Sequence, residues 1–253
     1  MNPAEPALRL QNVSMTFPDS NGGLEVLRDI SFRVERQEFL CILGPSGSGK
    51  TTLLRIIAGL LQPTHGQVLF EGAPEAQHRP RVGLVFQQAN LMPWRTALQN
   101  ITLPLELQGS SPAQSRPAAQ DMIAQMGLQG FEDAWPRDLS GGMAQRVAIA
   151  RSLVQDPDLM LLDEPFGSLD ALTRERMGAE LLELWQARRK TMIMVTHSIS
   201  EALLLADRVI VLTPRPGRIA LDMPVELPRP RSEDDRYTTQ FGQMARALKR
   251  AIG

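Results

Sequence analysis

The sequence predicts an α/β fold organised around a parallel sheet. Wholly apolar runs of strand length recur at residues 39–43, 159–162, 192–195 and 209–212, the texture of central parallel strands covered on both faces by helices. Helical spacing fills the gaps, and the order strand–helix–strand argues right-handed crossovers. A chain of 253 residues, 43% apolar and 22% charged, has the material for one large domain or two small ones. That composition excludes a disordered or collagen-like chain.

The elements follow in order. Residues 8–39 read as short strands, because Leu8, Leu10 and Val13, then Ile30, Phe32 and Val34, alternate with polar residues. Asp19, Ser20, Asn21, Gly22 and Gly23 form a turn cluster between them. The apolar run 39–43 ends in a glycine-rich loop, after which residues 51–60 are helical, with Leu53, Leu54, Ile57, Ala58 and Leu61 on one stripe. Residues 68–70 and 82–86 are further strands. From 89 to 155 strand signals vanish and Ala, Gln, Leu and Pro predominate, with a loop at Gly109, Ser110, Ser111 and Pro112; this is a mostly helical insert. The Pro- and Arg-rich stretch 214–231 reads as irregular structure or short strands. Tyr237, Phe241, Met244, Leu248 and Ile252 then line up as a terminal helix packed on its own domain.

Lys+Arg 27 against Asp+Glu 28 leaves a formal net charge of -1, so no cationic field points to nucleic acid. Cys41 has no partner for an internal disulfide, which indicates a reducing compartment. The apolar stretches 202–206 and 209–212 are split by Asp207 and Arg208, far short of the ~20 apolar residues of a membrane span. Met1, Asn2, Pro3, Ala4 and Glu5 offer neither the basic nor the apolar region of a secretory signal. A soluble cytoplasmic chain is expected.

Gly44, Pro45, Ser46, Gly47, Ser48, Gly49, Lys50 and Thr51 form a complete Walker A P-loop, directly after a buried strand and before a helix. Glycines let the backbone wrap a phosphate so that N–H groups point inward, and the helix N-terminus adds its positive end. Lys50 supplies a charge to the β- and γ-phosphates, the Thr51 hydroxyl is placed for Mg²⁺, and Thr52 joins the nucleotide-binding set. Leu159, Met160, Leu161 and Leu162 run into Asp163, Glu164 and Pro165. Such a run is by itself a strand end. Downstream of a P-loop it reads as a Walker B element, with Asp163 holding Mg²⁺ and Glu164 polarising an attacking water. The chain is therefore expected to bind and hydrolyse a nucleoside triphosphate.

Leu139, Ser140, Gly141, Gly142, Met143, Ala144, Gln145 and Arg146 open an apolar-periodic helix, a second helix N-terminus built to hold an anion. One nucleotide does not need two such sites from one chain, and a head-to-tail pair of domains resolves the surplus. At these residues the sequence resembles the ATP-binding-cassette (ABC) family, from about residue 8 to 212. The resemblance implies a RecA-like P-loop core with an N-terminal antiparallel β subdomain and a helical insert subdomain. A single ABC ATPase domain then spans 1–253: core and β subdomain at about 1–88 and 156–213, helical signature subdomain at about 89–155, and a C-terminal extension at about 214–253. It also implies that Phe17 stacks on adenine, and that Gln87 touches Mg²⁺ or water and relays to a membrane partner. Ser168, Leu169 and Asp170 match a loop that crosses the dimer interface, and His197 contacts the γ-phosphate. Ser140, Gly141 and Gly142 serve the nucleotide of the other subunit. Asp170 also suits a helix N-cap, and Ser198 with Glu201 a capping box.

A single cassette without a membrane span resembles the detached ATPase subunit of a bacterial import system. Gln88, Ala89, Asn90, Leu91, Met92, Pro93, Trp94, Arg95 and Thr96, with Met143 in the signature and Pro165, Phe166 and Gly167, resemble the nitrate, sulfonate and taurine group. The implied cofactors are ATP and Mg²⁺. The implied partners are a second ATPase subunit, transmembrane permease subunits and, indirectly, a substrate-binding protein, with no nucleic acid. The implied location is the cytoplasmic face of the bacterial inner membrane. Trp94 is either an exposed anchor for the permease or buried in the helical insert. A vitamin-precursor or lipid system is the alternative cargo, and a non-transport P-loop NTPase the alternative class.

Overall fold

The computed structural model describes residues 7–19, 23–70 and 80–253. The turn expected at Ser20, Asn21 and Gly22 and the N-terminal residues 1–6 lie outside the described residues. The chain divides into two compact units, one from Met1–Pro80 and Gly178–Gly253, the other Arg81–Met177.

The first unit holds two sheets. Strands β1 (Leu8–Phe17), β2 (Leu24–Val34) and β4 (His65–Phe70) form an antiparallel sheet in the order β2-β1-β4, the β subdomain expected from sequence. Its alternating pattern buries Leu8, Leu10, Val13 and Met15 of β1 and Ile30, Phe32 and Val34 of β2. The register between β1 and β2 slips near Asn12, which is left-handed (φ 50), as is Asp29 (φ 53). Asn and Asp tolerate that conformation best among side-chain-bearing residues, and here Asn12 Nδ2 donates to Asp29 Oδ1 at 2.6 Å.

The second sheet is centred on β3 (Phe39–Leu43), buried at every residue. It runs parallel to β7 (Thr191–Val195) and β8 (Arg208–Leu212), and β9 (Ile219–Pro224) lies antiparallel on β8. The Pro- and Arg-rich stretch thus contributes a strand. Asp207 does more than interrupt an apolar run: its carboxylate accepts the Phe39 N–H at 2.9 Å and the Arg229 guanidinium at 2.7 Å. Helix α1 (Lys50–Ile57) stops earlier than its apolar stripe predicts. Gly59 turns left-handed (φ 72), and the N–H groups of Gly59 and Leu60 return to the carbonyls of Ile56 and Arg55. That closure ends the helix and leaves Leu60 63% exposed.

The second unit contains the parallel pair β5 (Val82–Val85) and β6 (Leu159–Asp163). With it come α2 (Ala97–Leu107), α3 (Pro112–Gln125) and α4 (Gly141–Leu153), so residues 89–155 are mostly helical. Helix α5 (Ala171–Arg188) starts in this unit and ends in the first. There Trp185 packs on Phe39, with ring centroids 5.9 Å apart and planes at 56°.

Helix α6 (Ile199–Leu205) buries Ala202 to Leu205, and α7 (Thr239–Ile252) buries Phe241 and Leu248 against its own unit, as expected. Tyr237 departs from the stripe. It sits in a short 3-10 turn before α7, where Thr238 caps the helix, and is 88% exposed. No helix among the described residues is long and apolar enough to cross a membrane.

The C-terminal segment is locked by Arg231. Its guanidinium, 8% exposed as a residue, donates to the carbonyls of Leu203, Ala206, Val225 and Leu227. Burial pushes its pKa down to about 10, so it stays cationic at neutral pH. Arg231→Ala strands four buried carbonyls and is expected to cost about 3 kcal/mol or more, measured as a fall in the denaturant midpoint with an unchanged slope.

Candidate active site

The P-loop stands at the carboxyl end of β3, where ligands of α/β sheets bind. Gly47 (φ 79) and Gly49 (φ 91) are left-handed. Gly49 has a second constraint: a Cβ there would stand 2.7 Å from Leu27 Cδ2 and 3.0 Å from Val26 Cγ1. The loop therefore packs directly on β2. Gly217 also lies against the loop, where a Cβ would stand 2.1 Å from Ser48 O, and it is held to β2 by its N–H on Val26 O at 2.8 Å and by its carbonyl, which accepts from Arg28 N–H at 3.0 Å. Gly49 is the N-cap of α1 and supplies no side chain to the first-turn N–H groups, a helix start suited to an anionic cap.

Two observations test whether this loop fits a phosphate. Ser48 Oγ is buried and has no hydrogen-bond partner. A Cβ on Gly44 would stand 2.7 Å from that oxygen and 3.0 Å from Leu212 O, so the loop closes on Ser48 there only because Gly44 has no side chain. Lys50 is 6% exposed, and its ammonium donates to the carbonyls of Gly44 at 2.9 Å and Pro45 at 3.0 Å. A charge that burial would otherwise disfavour is thus held over the loop. Pro45, Thr51 and Thr52 are half-buried and Ser46 is exposed.

His197 lies on the same edge of this sheet. Ile42 pairs with Val195, and Thr196 N–H donates to Ile42 O at 3.2 Å. That puts the exposed His197 just beyond the strand end, as Gly44 is just beyond β3. The turn carrying it differs from a full capping box. Ser198 Oγ accepts from Glu201 N–H at 3.2 Å, but Glu201 Oε2 accepts instead from Thr196 Oγ1 at 2.5 Å. Thr196 Oγ1 in turn accepts from Ser198 N–H at 3.0 Å, so a buried hydroxyl on the strand outcompetes the cap backbone. Phe17 is half-buried at the end of β1, opposite Leu24.

In the second unit Asp163 ends β6 at 8% exposure and Glu164 follows in a left-handed conformation (φ 46). A tight turn follows, with Gly167 N–H donating to Glu164 O at 3.0 Å. Gln87 comes into the same place: a Cβ on Gly167 would be 3.1 Å from Gln87 Nε2 and 3.5 Å from Glu164 Oε2. The amide and the carboxylate thus converge on one glycine. Asp170 caps α5, its Oδ1 accepting Thr173 N–H at 3.0 Å, and the Thr173 hydroxyl and N–H hold its pKa below the usual carboxylate range. Ser140 is the N-cap of α4; its oxygen accepts from Met143 N–H at 3.2 Å and still carries a proton to donate. Gly141 and Gly142 open the helix behind it.

Sequence reasoning missed the side chains that shape the segment after Gln87. Asn100, fully buried, accepts from Met92 N–H and donates to the carbonyls of Met92, Arg95 and Thr96. Gln145 and Arg151 of α4 donate to carbonyls at 86, 89 and 90. The available signal was polar residues inside apolar helical stretches. Trp94 resolves to the exposed alternative at 69%. With Arg95, Leu98, Thr102, Glu106 and Arg116 it lines an open groove of ≈ 520 Å³.

A P-loop, an acid pair at a buried strand end and a glycine-opened helix define a nucleotide-hydrolysing class. The comparisons name it: a family model described as ABC transporter matches residues 27–167, and the chain belongs to that family. An uncharacterized ABC transporter ATP-binding protein of Methanocaldococcus jannaschii is 50% identical over 92% of this chain and 86% of its own. A taurine import ATP-binding protein of Pelagibacter ubique is 45% identical over 83% of this chain and 79% of its own. A nitrate import ATP-binding protein of Synechocystis is 43% identical over 87% and 83%. A bacterial ABC transporter cassette solved as a dimer superposes with TM-score 0.76 at 33% identity, covering 87% of this chain and 99% of that one. The chain is an ABC-type ATPase with the P-loop α/β fold of that family.

Gly49→Ala forces a left-handed alanine into Leu27. It is expected to weaken ATP binding at least tenfold, read by titration with a fluorescent nucleotide, and to lower the melting temperature by several degrees, about 1–2 kcal/mol of strain.

Proposed function

We propose that the chain powers an importer of a small anion, an aliphatic sulfonate, taurine or nitrate, as one of two cassettes on permease subunits at the cytoplasmic face of a bacterial inner membrane. A substrate-binding protein would deliver the cargo. The convergence of Gln87 and Glu164 on Gly167 supports the hydrolytic part of this reading most directly. The import part rests on the relatives named for taurine and nitrate import. Trp94 supports a permease partner, since an exposed indole beside a groove is a natural interface anchor.

The roles follow from the chemistry of each side chain. Lys50 neutralises charge on the β- and γ-phosphates, and backbone N–H groups of the loop and the first turn of α1 wrap the phosphates. Phe17 offers its face to adenine. Thr51, Asp163 and Gln87 are hard oxygen donors suited to Mg²⁺, which binds through one or two protein groups plus phosphates and water. The described residues contain no cluster of three His, Cys, Asp or Glu for a metal, and this ion needs none. When bound, the ion withdraws electron density from the phosphoryl oxygens. Glu164 accepts the proton of the attacking water, and His197 donates to the γ-phosphate. Ser140, with the N–H groups of Gly141 and Gly142, serves the nucleotide of the second cassette. Residues 1–88 and 156–213 would form the catalytic core with its β subdomain, 89–155 the signature subdomain and 214–253 the extension. ATP would drive the two cassettes together because it binds the closed pair best.

Glu164→Gln keeps the shape and removes the base. Turnover is expected to fall about 100-fold or more, while an ATP-dependent dimer accumulates on size-exclusion chromatography; undiminished turnover refutes the assignment. For the cargo, cells lacking this gene are expected to lose growth on taurine or an alkanesulfonate as sulfur source, or on nitrate as nitrogen source. Full growth on all three refutes the anion reading.

A further inference from the structure

Helix α4 begins at the signature residues and makes a second set of contacts further along. Gln145, 2% exposed, donates its side-chain amide to Phe86 O at 3.1 Å. Arg151 Nη1 donates to Asn90 O and Nη2 to Ala89 O, both at 2.9 Å. Three carbonyls on either side of Gln87 and Gln88 are therefore held by two side chains of one helix. Asn90 is left-handed (φ 45), a conformation that costs free energy unless its surroundings hold it. Burial lowers the pKa of Arg151, and a guanidinium with little water around it depends on those two acceptors.

Helix geometry gives this arrangement its consequence. Ser140 and Arg151 are separated by eleven residues of the sequence, about 16 Å along a helix. The helix is continuous from Gly141 to Leu153 and is packed through its second half by Val147, Ala148, Ile149, Ala150 and Leu153, so a displacement of the helix carries the 86–90 carbonyls with it. We propose that Gln145 and Arg151 are positioning residues that yoke the segment bearing Gln87 to the signature helix. The position of Gln87 then follows the engagement of Ser140. This rests on the reading of Gln87 and Ser140 given above. Neither Gln145 nor Arg151 touches the nucleotide in that reading; each acts through Gln87.

The test is a double-mutant cycle on steady-state ATP hydrolysis by the full chain. Arg151→Lys, which replaces the planar two-nitrogen fork by a single ammonium on a shorter side chain, and Gln145→Met, which keeps the volume and removes the donor, are each expected to lower kcat about fivefold to tenfold, the scale of one or two lost hydrogen bonds. KM for ATP should stay within about twofold, since the phosphate loop is untouched. Arg151→Met should be worse than Arg151→Lys. In a Gln87→Ala background neither replacement should lower kcat further, because the group it positions is gone. Hydrogen exchange should quicken at residues 86–91 and not in β3 or α1. Losses that multiply in the Gln87→Ala background, a rise in KM matching the fall in kcat, or unchanged kcat in both single variants overturns the proposal. If Gln87→Ala alone leaves kcat intact, the assignment of Gln87 falls and the yoke with it. That outcome is distinct from multiplying losses, which remove the yoke and leave Gln87 standing.

Discussion

The P-loop imposes one demand on which the first unit is built. Eight residues must turn tightly at the end of a buried strand, at places where a side chain would collide with its neighbours. Gly44 lets the loop close on Ser48 Oγ and Leu212, and Gly49 lets it lie on Val26 and Leu27. A loop with so few side chains cannot brace itself, so its rigidity comes from neighbours. The antiparallel sheet supplies β2, and Gly217, hydrogen-bonded to Val26 and Arg28 of that strand, lies against Ser48 O. The fully buried β3 behind it fixes where the loop starts. Each buried aliphatic side chain there contributes about 1.5–3 kcal/mol as an upper figure. The apolar core thereby stabilises a backbone conformation that glycine entropy disfavours.

The second unit solves a different problem, that of holding a polar loop still. Residues 86–96 connect β5 to α2 with no secondary structure of their own, and their carbonyls need partners wherever water is excluded. Asn100 takes the far half, and Gln145 and Arg151 the near half. The outcome is a shaped segment with Gln87 exposed at one end and Trp94 exposed at the other. Arg95 and Glu106, paired at 2.7 Å, steady the outer end. A pair this exposed adds little stability, so its effect is on conformation.

What was legible in the sequence was whatever local pattern alone decides. The P-loop, Walker B and signature segments announce themselves because glycine, lysine and acid at fixed offsets have few other uses, and β3, β6, β7 and β8 because four or five apolar residues in a row leave little else to do. The helix ending at Gly59 was legible in principle, but an apolar stripe running on to Leu61 hid it. Partners distant in sequence were not legible. Arg231 looks like one of many arginines in a Pro-rich stretch until four carbonyls from 203 to 227 surround it. Glu201 fits a capping box by spacing, and only the buried Thr196 hydroxyl on the adjoining strand explains where its carboxylate goes. Tyr237 shares the spacing of α7 but precedes its cap, and periodicity carries no information about where a helix starts.

Glu164 shows how local strain and chemistry meet. Two consecutive acids on a strand would project to opposite faces, because successive side chains alternate. Asp163 is still on β6 and nearly buried, whereas Glu164 has left the strand in a left-handed conformation. For a residue with a Cβ that costs about 1–2 kcal/mol. The cost is offset locally: the turn is closed by Gly167 N–H on Glu164 O, and the buried Pro165 and Phe166 fasten it to the core. Turning the backbone at this residue frees the second carboxylate from the strand's alternation and sets it near Gln87, with Gly167 providing the clearance. A right-handed or extended Glu164 would break the turn, and that approach would be lost with it. The strain at Glu164 is therefore the geometric condition for an acid pair in which the first carboxylate stays at the strand end and the second stands apart from it.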